Sequence, residues 1–131
     1  MTFYTYYDDE KKTILCAKVC DHWTLSDFFS FYSDLCQMSG ATSHPVAFLV
    51  DLHHVTNMPT HFLMAGQYML NHRPENHVVT VAVSKDIYVA NTLEFFRQAF
   101  PRLRDHFFVM PSMVAAKDYL QHTMPTMTNS A

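Results

Sequence analysis

The run Pro45-Val46-Ala47-Phe48-Leu49-Val50-Asp51-Leu52 decides the fold of this chain. Its apolar residues are continuous, whereas a strand wetted on one face alternates apolar with polar. Continuity is the pattern of a strand covered on both faces, so the run predicts the central strand of a sheet with helices around it. Downstream, Val78 to Val83 reads as a further apolar strand and Phe107 to Met110 as a short last one. Upstream, the aromatic, β-favouring segment Phe3 to Tyr7 and the run Thr13 to Val19 flank the charged turn Asp8-Asp9-Glu10-Lys11-Lys12, which predicts a hairpin. In its second strand Ile14, Cys16 and Lys18 share one face and Leu15, Ala17 and Val19 the other.

Helical spacing fills the intervals. Thr24 with Asp27 three positions on resembles a capping box, and Leu25, Phe28, Phe29, Tyr32, Leu35 and Cys36 follow at helical spacing, so a helix is predicted from about Leu25 to Met38 with Gly40 closing it. Pro59-Thr60 opens a second helix that Pro74 stops. A third, capped by Ser84 or Asp86, carries Ile87, Ala90, Leu93, Phe96 and Phe100 inward as far as Pro101. A last one follows Ser112 with Val114, Ala115, Tyr119 and Leu120. The expected order is ββαβαβαβα: an α/β domain with a mixed, mostly parallel sheet, an N-terminal antiparallel hairpin and helices covering it. One domain, 1–121, is expected, with 122–131 as a flexible tail.

Composition agrees. The 131 residues are 49% hydrophobic and 15% aromatic, while the 16% charged fraction falls below the usual value of about 25%. A chain of this size can bury roughly two thirds of its unfolded surface in one core. Net charge is −3 without a broad basic face, which argues against nucleic acid as a partner. The N-terminal MTFYTYYDDEKK lacks the basic and apolar regions of a signal peptide, and no apolar run approaches the roughly 20 residues of a membrane span. Cytoplasmic residence, without a membrane partner, is therefore expected. Cys16, Cys20 and Cys36 are odd in number and sit in apolar stretches, so they do not read as a disulfide framework.

No complete catalytic or metal signature is present. With Gly40 and Gly66 the chain's two glycines, phosphate-cradling loops, the dinucleotide fingerprint and a Gly-x-Ser-x-Gly elbow are excluded. The expectation is a protein without enzymatic activity or cofactor. Nine histidines raise a metal reading for His53, His54 and His61, near the C-terminal end of the central strand where open α/β sheets place ligands. Their spacing argues instead for solvated or capping loop residues, because adjacent His53 and His54 diverge on a strand and no zinc spacing is present. Asp51 reads either as the acid of a site or as a local cap of the following loop. Trp23 is either a binding-surface anchor or a cover over the core edge. Phe31 lies off the helix face made by Phe28, Tyr32 and Leu35, which reads either as a second apolar face for a subunit contact or a small apolar ligand, or as additional core. Near the end of the third helix Arg97, Arg102 and Arg104 either complement the helix terminus or form a small anion patch.

The element order, Trp23 after the second strand, the strand end Leu49-Val50-Asp51-Leu52 and the close Phe107-Phe108-Val109-Met110 followed by Ser112 to Leu120 together resemble the SpoIIAA-like branch of the STAS fold. The resemblance covers nearly the whole chain, from about Phe3 to Leu120, and rests on pattern rather than a diagnostic motif. It implies a non-enzymatic regulatory module, akin to anti-sigma-factor antagonists, that binds a protein partner; the exposed apolar surface of the first helix adds the expectation of self-association as a homodimer. The family's phospho-acceptor at the helix start falls by count on Thr60, although Pro59 stands where that family has Asp, and His61-Phe62 where it has Ser-Gly. Without the switch, Thr60 reads as an ordinary helix N-cap. Two rivals remain: a carrier of a small apolar, lipid-like ligand held between helices and sheet, and a metal site or enzyme built on His53, His54 or His61.

Overall fold

A computed structural model describes the backbone of residues 3–129 and the side chains of residues 3–124. The strands are β1 (Phe3–Tyr7), β2 (Ile14–Val19), β3 (Val46–Asp51), β4 (His77–Val83) and β5 (Phe107–Met110). The helices are α1 (Leu25–Gly40), α2 (Met64–His72), α3 (Ile87–Ala99), the single turn α4 (Pro101–Arg104) and α5 (Met113–Asn129). One five-stranded sheet has the order β1-β2-β3-β4-β5. β1 runs antiparallel to β2, and the other pairings are parallel. The α/β layout and mixed sheet expected from the sequence are present, with α4 as an added turn after Phe100.

Every residue of β3 is buried, as its continuous apolar run requires. Pleating sends Val46, Phe48 and Val50 to one face and Ala47 and Leu49 to the other. The parallel strands advance steadily across the sheet, so crossovers of a single hand place their helices on one side. Phe28, Tyr32 and Leu35 of α1, Met69 of α2 and Leu93 and Phe96 of α3 accordingly share the front core with Phe48. The back face is covered by α5, through Ala116, Leu120 and Met124. Lys117 of α5 reaches Asp8 of the hairpin at 3.3 Å.

The predicted capping box of α1 is formed: the Thr24 hydroxyl accepts from the Asp27 N–H at 3.1 Å, and the Asp27 carboxylate accepts from the Thr24 N–H at 2.9 Å. The helix end differs from expectation. Gly40 is helical, and the C-cap is Ala41 at φ −80°, with no left-handed glycine. Tertiary bonds close the helix instead. Fully buried Ser39 donates to Asn76 Oδ1 at 2.6 Å, and Asn76 Nδ2 returns a bond to the Ser39 carbonyl at 3.0 Å. The segment from His122, expected as a tail, continues α5 as far as Asn129, and Met124, four residues after Leu120, extends the buried stripe. Residues 130–131 lie outside the described residues.

Helix faces shift too. α3 buries Val89, Leu93 and Phe96, while Ile87, expected inward, is 77% exposed. In α5 the inward residue is Ala116, and Val114 faces out. Gly66 has a specific role in α2: a Cβ there would lie 2.3 Å from the Phe100 ring, so the bare backbone permits the helix to approach the segment joining α3 and α4.

Candidate functional site

The C-terminal ends of β2 and β3 lead into two loops joined to each other. In the first, Asp21 Oδ1 accepts from the Thr56 N–H at 3.2 Å and Oδ2 from the Thr56 hydroxyl at 2.9 Å. These bonds from Thr56 hold the Asp21 carboxyl below its ordinary pKa. Trp23 Nε1 donates to the Asn57 carbonyl at 2.9 Å, so the 55–57 stretch is pinned from the side of β2. At the end of β3, Asp51 Oδ1 accepts from the His53 N–H at 3.0 Å, the local cap that is one of its two readings.

Beyond Asn57 the backbone changes character. Among the described residues, no backbone N–H from Met58 to Leu63 donates a hydrogen bond. His61 adopts φ 62°, in the left-handed region a non-glycine residue seldom enters. α2 begins at Met64 with Leu63 as an N-cap that supplies no side-chain bond. This corrects the expectation for Thr60: it is exposed, four residues ahead of Met64, and caps nothing. The chain bends at His61 before it can enter the helix, so Pro59-Thr60 begins a strap rather than a helix.

Between this strap and α3 lies a groove of about 570 Å³. Met58 to Met64 form one wall and Tyr88, Thr92 and Phe95 the other, with Phe62 and Phe96 at its base. Its large side chains face outward: Leu63 is 49% exposed, Met64 58%, Tyr88 60% and Phe95 67%. His61 is the single titratable imidazole in the lining, and no Lys, Arg, Asp or Glu contributes. A smaller cavity of about 20 Å³ lies deeper, in the front core, between the sheet and helices α1, α2 and α3. Phe62 and Phe96 line both spaces.

The sequence candidates divide between these places. Thr60 and His61 are on the groove. His53 and His54 stand at the loop start with their rings 5.0 Å apart. Among the described residues no three His, Cys, Asp or Glu side chains are grouped to hold a metal ion. Trp23 and Phe31, offered as a partner or ligand surface, are corrected to core. They are 3% and 1% exposed and their rings stack at 6.1 Å, because the β1 residue Phe3 covers the flank of α1 on which Phe31 stands. The apolar excess of α1 is thereby absorbed internally. Arg97 is engaged as well, donating to the Phe107 carbonyl at 2.6 Å and pairing with Glu94 at 3.2 Å.

The sequence reading missed the groove itself. A signal was present: Tyr88 and Phe95 fall off the inward stripe of α3, one helical face apart from Leu93 and Phe96. Nucleophilic chemistry gains no support from the buried thiol of Cys16 or the half-buried one of Cys36. Burial pushes both Cys16 and Cys36 up to about 11, which keeps them protonated at neutral pH. No helix among the described residues is long and apolar enough to cross a membrane. No family model matches the chain, and neither the curated proteins nor the solved structures contain a match to it.

Proposed function

We propose that this domain is a non-enzymatic regulatory module of STAS/SpoIIAA-like design that acts through protein contact, and that the groove between the 58–64 strap and α3 is its self-association surface. The observation that carries the reading is the concentration of exposed Leu63, Met64, Tyr88 and Phe95 around one groove. Aromatic and methionine side chains without fixed charges are the composition of interface centres. The occupant is a second copy of this chain. A twofold contact apposes a patch with itself, and a lining without fixed charge does so without like-charge repulsion. Support for the family reading comes from the element order, with its antiparallel hairpin ahead of consecutive parallel strands. Three free thiols fit a reducing, cytoplasmic setting.

Sedimentation velocity across a concentration series tests the proposal. The wild type is expected to shift from monomer to dimer, and Phe95→Asp to remain monomeric with unchanged folding. A wild type that stays monomeric at every concentration, or a Phe95→Asp variant that dimerises equally well, overturns it.

A further inference from the structure

We infer that a pocket on the back of the sheet, at the start of β4 and β5, binds a free α-amino acid with an apolar side chain. Its carboxylate meets Arg73, its ammonium meets Asp105 and His106, and its side chain lies against Phe108 and Tyr119. The inference does not depend on the self-association reading, because this pocket and the groove beside α3 share no residue.

The register of the sheet opens the space. β5 joins β4 only from Thr80, paired with Phe107, so His77 to Val79 project beyond the start of β5. Asp105 and His106 border the gap from the chain entering β5, and Tyr119 and Thr123 border it from α5, around a space of about 260 Å³. An apolar cavity of about 150 Å³ is enough to hold benzene. The remainder leaves room for one compact polar head on such a body.

The charges define the head. Arg73, the residue that ends α2, is half-buried. Its Nε donates to His77 Nδ1 at 2.9 Å and its Nη2 to the His77 carbonyl at 3.0 Å, which fixes the guanidinium. Among the described residues Nη1 makes no hydrogen bond and no carboxylate pairs with Arg73. A half-buried cation without a counter-charge favours an anion, and a fixed planar fork favours a carboxylate. Asp105, on the same lining, is exposed and likewise has no ion pair among the described residues. A simple anion would therefore sit in the field of Asp105, whereas a zwitterion satisfies both charges.

His106 sharpens the ammonium side. Its Nδ1 bonds the Val78 carbonyl at 3.2 Å, and a carbonyl only accepts, so Nδ1 carries a proton and Nε2 of the neutral ring is an acceptor. That acceptor and the Asp105 carboxylate come from consecutive residues, and an ammonium offers three donors to them. The walls define the side chain. Phe108 and Tyr119 hold their rings 5.9 Å apart on the lining, with Val78 adding an aliphatic surface. A ring or branched alkyl group gains apolar contact there without meeting a charge.

Phenylalanine is the probe, titrated into full-length ¹⁵N-labelled protein while amide shifts are followed. Saturable shifts at Val78, His106 and Thr123 are expected, with Tyr88 and Phe95 of the groove unmoved. Phenylpropionate, which lacks the ammonium, and phenethylamine, which lacks the carboxylate, are each expected to bind about tenfold more weakly or worse. The carboxylate contact is tested on the ligand because replacing Arg73 also removes its bonds to buried His77. Asp105→Asn, at an exposed position, should weaken phenylalanine by about the same factor. The inference is overturned by the absence of a saturable shift at the pocket, by shifts confined to the groove, or by either analogue binding as tightly as phenylalanine. An Asp105→Asn variant with wild-type affinity overturns it too.

Discussion

The two ends of the sheet are built on opposite plans. At the N-terminal ends of the parallel strands, polar groups are buried and paired. Asn76 Nδ2 donates to the carbonyls of Ser39 and His44, each at 3.0 Å, and its Oδ1 accepts from Ser39. His77 is sandwiched: Arg73 Nε donates to its Nδ1 at 2.9 Å, which places the imidazole proton on Nε2, and that group donates to Thr80 Oγ1 at 2.8 Å. At the C-terminal ends no N–H group of the strap from Met58 to Leu63 donates a hydrogen bond among the described residues, the carbonyls of His61, Phe62 and Leu63 accept bonds from the start of α2, and the neighbouring apolar side chains face water. Satisfied polar networks in a low dielectric fix one geometry, whereas a segment with fewer backbone bonds, flanked by exposed apolar groups, is held less firmly. The paired end holds the frame, and the open end carries the surface proposed for contact.

The largest break in this contrast comes from Asn76→Ala. It leaves buried Ser39 and the end of α1 without partners, and a loss of about 2–4 kcal/mol is expected, read as a fall in Tm on the order of 10 °C in calorimetry.

His77 tests the same end through pH. Burial, reinforced by the Arg73 charge, pushes its pKa down to about 3 in the fold, against about 6.5 when unfolded. Below pH 6.5 the unfolded chain binds the proton and the native imidazole does not, so stability falls as pH drops from about 6.5 toward 3 and this contribution levels off below that. The slope from one such group approaches about 1.4 kcal/mol per pH unit. His77→Gln should flatten that part of the profile, measured as the difference between variant and wild-type urea midpoints across pH. Equal slopes would show that the imidazole takes up a proton freely in the fold.

Tyr32 is the exception within the ordered region. Among the described residues, its hydroxyl is the one buried side-chain polar atom without a hydrogen bond, and burial raises its pKa above the ordinary range. Tyr32→Phe removes that orphan while keeping the ring, so a gain of up to about 1 kcal/mol is expected in chemical denaturation. Smallest of all should be the stability effect of Phe95→Asp at the open end: within about 0.5 kcal/mol of wild type, because the ring is 67% exposed. Its effect on sedimentation, by contrast, is expected to be complete.

Much of the frame is legible in residue pattern. The Val46–Asp51 run, the alternation of Leu15, Ala17 and Val19 with Ile14 and Cys16, and the Thr24–Asp27 box each depend on neighbours within a few positions. The site is less legible. Asp51 is readable as a loop cap because its bond to His53 spans two residues, whereas Thr60 misleads because Pro-Thr before an apolar run is also how helices begin. Spacing leaves Phe31 open between surface and core because the residue that covers it, Phe3, is distant in sequence.

The sequence by itself thus determined the strands, the longer helices with their caps at Thr24, Asp86 and Ser112, and the order of these elements, since propensity, periodicity and capping are local. Tertiary structure alone decided which apolar side chains went unburied. Phe31 is covered and Phe95 is not, although both lie off the main stripe of their helices. Burial is settled by what packs against a side chain from elsewhere in the chain, and no local spacing encodes that. The same holds for the groove and the cavity beneath it, which exist because a strap from one crossover lies beside the helix of the next.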